Sequence, residues 1–190
     1  MTAGVLFSEM DPGPGHESEF DDWYQTEHIP ARLALEGFSH AFRSVRLGAG
    51  TRNSACYLIS DMAVLDTPEY HALKDQADAR TQSILSSAIG FTRFTGALID
   101  SHGEPTSDTK RVLVGRASGE IEARPLISWL RALGSMWSGV YRIVSASEPE
   151  VGVLAIAGFE QAASGLDLRS GRPTEVAHCG LFALTHWASR

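Results

Sequence analysis

Between Glu19 and Phe38 the chain concentrates most of the side chains that could do chemistry: Asp22-Trp23-Tyr24, then Glu27-His28, Pro30, Arg32 and Gly37-Phe38. An imidazole gains and loses a proton near neutrality, so His28 is the natural acid or base of the group. Tyr24 lies four residues earlier, one helical turn away on the same face, where its hydroxyl can orient His28 or meet a substrate oxygen. Arg32 and, on the next segment, Arg43 carry permanent charge in a bidentate fork suited to a carboxylate or a developing enolate. Asp22 can pair with either arginine. Trp23, His40 and Phe42 complete a set able to line a substrate pocket around His28.

Each of these residues also has a plain structural use. Phe20, Trp23 and Tyr24 recur at core-packing spacing. His28 can bond a buried carbonyl at the Pro30 bend. Arg32 can sit in a surface ion pair, and Asp21 and Asp22 complement the dipole at a helix start. Arg43, mid-strand among apolar neighbours, needs a partner wherever it is buried.

The elements that position these residues follow from periodicity and turn chemistry. Val5–Met10 reads as an apolar strand, broken by Asp11-Pro-Gly-Pro-Gly15. A helix begins near His16–Ser18, is bent or restarted by Pro30, and closes at Gly37. Strands are expected at Phe38–Leu47 and Ala55–Ser60, with Phe38, His40, Phe42 and Ser44 on one face. A second helix is expected to run from Thr67-Pro68 to about Ala88, followed by a strand at Phe91–Asp100. This gives β-α-β-β-α-β.

After a polar stretch, 104–108, the pattern returns. Strands are expected at Arg111–Ala117, Val140–Ser147, Val151–Phe159 and Thr174–Trp187. A helix is expected at Pro125–Leu133 and a short one at Gln161–Leu168. The sequence therefore predicts an α+β protein of two ferredoxin-like βαββαβ halves, 1–103 and 109–190. Each half leaves one bare sheet face. Packing the two faces together closes an intramolecular α/β-barrel, a tandem duplication in one chain. On this reading His28 looks into a space roofed by the other half.

The stretch Asp22 to Phe38 resembles the D-W-Y-x-x-E-H-x-P-x-R-L-x-x-x-G-F segment of the EthD-like branch of the dimeric α/β-barrel superfamily. The likeness covers roughly the first hundred residues. It implies a pocket between sheet and helices. It also implies a small enzyme of catabolism or of polyketide and aromatic metabolism, working by isomerisation, cyclisation, dehydration, decarboxylation or oxygenation, often without a cofactor. Other branches of that superfamily bind haem. The second half has no equivalent segment: its helix reads Arg124-Pro-Leu-Ile-Ser-Trp-Leu-Arg131.

Composition narrows the alternatives. With 16 Lys+Arg against 23 Asp+Glu, the net charge is −7, and the pI is about 5.4. That balance disfavours nucleic acid and anionic membrane surfaces. No apolar run approaches the roughly 20 residues of a membrane span, and no secretory signal is read at the start, so a cytoplasmic location is expected. Cys56 and Cys179 stand alone in strands, as free thiols. His178 and His186 are too far apart along one strand to share a metal ion, and no metal motif occurs. No nucleotide-binding or serine-nucleophile motif occurs either.

The leading expectation is an enzyme without cofactor that acts on a small apolar, oxygenated substrate. His28, Tyr24 and Arg43 would be catalytic; Trp23, Arg32, His40, Phe42 and Asp22 would contact the substrate. The alternatives are a non-catalytic ligand-binding or stress-response barrel and a haem-dependent or cofactor-free oxygenase. Self-association through strand edges or helices is open to it.

Overall fold

The computed structural model describes residues 1–146, 152–160 and 168–190. Eight antiparallel strands close into a barrel in the order β1-β3-β2-β8-β5-β7-β6-β4. The strands are β1 (Gly4–Asp11), β2 (Phe38–Arg46), β3 (Asn53–Ile59), β4 (Ile89–His102), β5 (Arg111–Ser118), β6 (Trp137–Ala146), β7 (Gly152–Phe159) and β8 (Val176–Ser189). Strands β1–β4 are neighbours in the order 4-1-3-2, and β5–β8 repeat that order. The barrel closes where β2 meets β8 and β4 meets β6. Closure leaves no open sheet edge.

The barrel interior is packed with apolar side chains. Phe7, Phe42, Phe94, Trp137, Leu154 and Phe182 are all buried in one cluster. Phe42 stacks on Trp187 at 5.6 Å between ring centroids and meets Trp137 edge-on at 5.8 Å. Outside the barrel, each group of four strands carries its own helix layer. Helix α1 (Glu17–Trp23), a π turn (Tyr24–His28), α2 (Ile29–Leu33), α3 (Pro68–Asp75) and α4 (Ala79–Ser87) cover the first. Helix α5 (Ala123–Ala132) covers the second. The short helix expected at Gln161–Leu168 and the turn at Glu148-Pro149-Glu150 fall outside the described residues, apart from Leu168.

Three local features depart from the periodicity reading. The helix around Pro30 is not simply bent. Its preceding turn widens, so that the Ile29 N–H donates to the Tyr24 carbonyl. A π turn placed before proline accommodates a residue that lacks an N–H and whose ring clashes with the preceding turn. The expected single helix to Ala88 is two helices, because Asp78 accepts from the Thr81 N–H at 2.7 Å and starts α4 afresh. In β2 the register shifts between Phe38 and His40. This bulge at Ser39 turns Phe38 into the helix layer, whereas Phe42 points into the barrel, so the two do not share a face.

Candidate functional site

The first helix layer holds a cavity of about 870 Å³ between the α1–π turn–α2 segment and the α3–α4 pair. Trp23, His28, Arg32, Leu35, Leu73 and Thr81 are among its lining residues. The expected roof does not hold: the space is an open cleft bordered by helices of the same sequence half, not roofed by the other half of the chain. The interior that the second half would have roofed is already filled by Phe42, Phe94 and their neighbours.

His28 sits at the end of the π turn. In that wider turn its closest ring is Trp23, five residues back, at 4.1 Å, with Tyr24 edge-on at 4.9 Å and Tyr57 at 6.4 Å. Arg32 Nη1 lies 3.1 Å from His28 Nδ1. A guanidinium can only donate, so Nδ1 accepts and the neutral ring carries its proton on Nε2. Burial, then the positive charges of Arg32 and Arg43, hold His28 well below the ordinary imidazole value. The ring is therefore neutral at physiological pH. Nδ1 is occupied, and Nε2–H is the group left to meet a ligand.

Behind the cleft, near His28, lie two buried polar atoms that lack partners. Arg32 Nε and Tyr57 Oη are both buried without a hydrogen bond. The Arg32 guanidinium carbon stands 5.4 Å from the Tyr57 ring centre. Burial raises the Tyr57 phenol well above its usual value, with Arg32 opposing, so it stays a neutral donor. Trp23 is fully buried and donates through Nε1 to Thr81 Oγ1 at 3.0 Å, tying the two walls together.

The other sequence candidates separate into three places. Tyr24 is buried behind His28. Its hydroxyl bonds Ser8 rather than His28, and burial raises its pKa. Arg43, 3% exposed, lies behind Tyr24 at 4.4 Å from that ring and donates to Asp21 Oδ1 at 2.8 Å. It lines a separate surface pocket with Asp11 and Glu17. Asp22 is exposed and pairs with Arg80 at 2.7 Å rather than with Arg32 or Arg43. His40 and Phe42 are not brought to the His28 cavity. Strand alternation after the Ser39 bulge turns both toward the barrel, where His40 packs against Trp187 at 5.6 Å.

Sequence reasoning missed the far wall, including Leu73, Asp78 and Thr81, and the clamp formed by Arg80 on Glu19, Asp22 and Glu27. The readable signal was Asp78 itself, a favoured helix-capping residue type standing inside the expected long helix.

Among the described residues no group of three or more His, Cys, Asp or Glu is placed to hold a metal ion. A haem does not fit the lining. Its propionates need cations, whereas Glu27, Glu69 and Asp78 stand around the cavity and its guanidinium, Arg32, is turned onto His28. Both cysteines are free thiols. No helix among the described residues is long and apolar enough to cross a membrane.

No family model and no curated protein sequence matches the chain. Solved structures do. A candidate monooxygenase from Fusobacterium nucleatum superposes with a TM-score of 0.70 at 8% identity, over 100% of this chain and 95% of that one. A candidate monooxygenase from Lactobacillus acidophilus gives 0.65 at 10% identity, over 100% and 97%. An anthrone oxidase-like protein gives 0.64 at 10% identity, over 99% and 93%. At such identities the likeness speaks for the fold alone. This chain has the fold of the dimeric α/β-barrel proteins, with all eight strands of the barrel supplied by one polypeptide.

Proposed function

We propose that the chain is a small-molecule enzyme of the oxygenase type. It takes an apolar, oxygenated substrate such as a hydroxyaromatic ketone into the first-layer cavity and stabilises the enolate or phenolate formed there. The observation that carries this reading is the fixed polarity of His28. Arg32 occupies Nδ1, so the neutral ring offers Nε2–H to an oxyanion. Neutral imidazole is the better group for this task, because it donates without giving up its proton. The proton lost by the substrate carbon leaves to the rim carboxylates Glu69 or Asp78, or to water; the carbanion then reduces dioxygen, the co-substrate, to a carbon-bound hydroperoxide, whose O–O bond breaks with loss of the remaining C–H proton and release of water to leave the new carbonyl. Of the two roles open to His28, this one replaces proton abstraction, for which Nδ1 is blocked.

The names of the neighbours, anthrone oxidase-like and monooxygenase, favour oxygenation over isomerisation or cyclisation as the step that follows. The Asp22–Phe38 segment supports membership of the EthD-like branch. The repeated strand order supports an origin by tandem duplication in which the second half lost the site.

The test is oxygen uptake and quinone formation with a panel of anthrone-like and hydroxyaromatic ketones. Wild type is compared with His28→Ala and His28→Gln. The reading expects turnover by wild type, loss of about a hundredfold or more in His28→Ala, and partial activity in His28→Gln, whose amide keeps a donor. Equal rates in all three would remove His28 from the chemistry.

A further inference from the structure

Arg80 reaches from the first turn of α4 to the opposite wall of the His28 cleft. The Asp78 cap, which accepts from the Thr81 N–H at 2.7 Å, sets where that turn begins. From there the Arg80 guanidinium donates through Nη2 to Asp22 Oδ2 at 2.7 Å and through Nη1 to Glu27 Oε1. Its Nε stands 3.9 Å from Glu19. One fork thus joins α1, which carries Glu19 and Asp22, to the π turn, which carries Glu27.

Asp22 and Glu27 are five residues apart. In an α-helix of 3.6 residues per turn they would point about 140° apart round the axis, too far for one planar fork to bond both. In a π turn the hydrogen bonds join residues five apart, as from the Ile29 N–H to the Tyr24 carbonyl, so Glu27 follows Asp22 on one face. The same widening sets His28 against Trp23, also five residues back, at 4.1 Å between ring centroids. Both pairs depend on the one register. Pro30 removes an α-type hydrogen bond from this stretch but gives Glu27 no partner; Arg80 supplies it.

We infer that Arg80 is a positioning residue for His28: its bridge between Asp22 and Glu27 holds the π turn in the register that lays the imidazole on Trp23 at the cleft wall. A single exposed pair would add little, but here one guanidinium serves a network of three carboxylates. Without the bridge the segment shifts toward α register, in which Tyr24, four residues back, becomes the ring nearest His28. The consequence for turnover rests on the function proposed above; the position of the ring does not.

The test uses the full chain without substrate and reads two NMR signals. One is hydrogen exchange of the Ile29 amide, which closes the π turn, relative to that of Leu130 in α5. The other is the chemical shift of the His28 ring protons, displaced by the ring current of Trp23. Arg80→Met is expected to lower Ile29 protection about fivefold relative to Leu130 and to move the His28 ring protons toward unshifted positions. Glu27→Gln breaks one side of the bridge and moves both signals the same way, so the test survives if Arg80→Met folds poorly. Glu19→Gln removes the same charge from the α1 side alone and leaves both signals at wild-type values. Unchanged signals in Arg80→Met and Glu27→Gln, a loss of protection shared equally by Leu130, or Glu19→Gln matching Glu27→Gln would each overturn the inference. Absence of turnover in wild type would count against the proposed function and leave these signals as they are.

Discussion

Helix α5 lays Leu126, Ile127, Trp129 and Leu130 onto Leu113, Val153 and Phe159, in a cluster that is apolar among the described residues. On the other side of the barrel, α1–α2 and α3–α4 cover the same strand order but leave an open cleft lined by the half-buried His28 and Arg32, with the buried Tyr57 and Arg43 behind them. Even the two tryptophans that anchor the layers differ. Trp129 donates to a backbone carbonyl, that of Ser170, at 3.1 Å, whereas Trp23 donates to a side chain across the cavity. Both layers keep buried polar atoms without a partner, Arg111 Nε and Ser135 Oγ in the second and Arg32 Nε and Tyr57 Oη in the first, but in the first they stand near a histidine beside an open cleft. On the function proposed above, the contrast sets the site outside the barrel, in the helix layer of the first half.

The sharpest way to break this comparison is to injure each layer separately. His28→Ala is expected to lower turnover about a hundredfold or more, with little change in thermal stability. Leu126→Ala is expected to do the reverse: a loss of about 2–5 kcal/mol in denaturant unfolding, with turnover per folded molecule retained. A large activity loss from Leu126→Ala at full folding would erase the distinction.

A smaller effect is expected at Arg32. Arg32→Met frees Nδ1, lets the ring exchange tautomers and removes a charge that holds the imidazole acidic. Turnover should fall about tenfold, and the ¹⁵N-detected titration of His28 should move up toward the ordinary value of 6.5.

Thr81→Val leaves the buried indole N–H of Trp23 without an acceptor and should cost about 1–2 kcal/mol of stability, measured by denaturant unfolding.

The pH dependence of stability follows from the sign of the His28 shift. Its folded-state value lies below its unfolded one, so between the two the unfolded chain binds more protons than the native one. Stability therefore declines as pH falls from about 6.5 toward the folded value, and His28→Gln flattens that part of the curve. A wild-type curve of unchanged slope in the variant would mean that other groups set it.

Much of the architecture was readable because it depends on local signals. Apolar strands bounded by turn residues, Thr67-Pro68 at a helix start, and Gly37 and Gly134 after helices all act within a few residues of themselves. The two glycines adopt φ of 98° and 87°, in the region that side chains disfavour. The site was less legible, because its geometry depends on single-residue insertions. The π turn exchanges Trp23 for Tyr24 as the nearest ring to His28, and the Ser39 bulge turns Phe38 away from the face that carries Phe42. Strict periods of 3.6 and 2 cannot register an extra residue. Nor could one strand reveal that Arg43 would be held by Asp21 behind Tyr24, since that pairing depends on how α1 lies on the sheet.

The most direct test of the central claim is the protonation state of the His28 ring at pH 7, read by ¹⁵N NMR with and without a hydroxyaromatic ketone. The account predicts a neutral ring with its proton on Nε2, whose resonance shifts when the ketone binds. A charged ring, a proton on Nδ1, or a ketone that binds without disturbing His28 would contradict it.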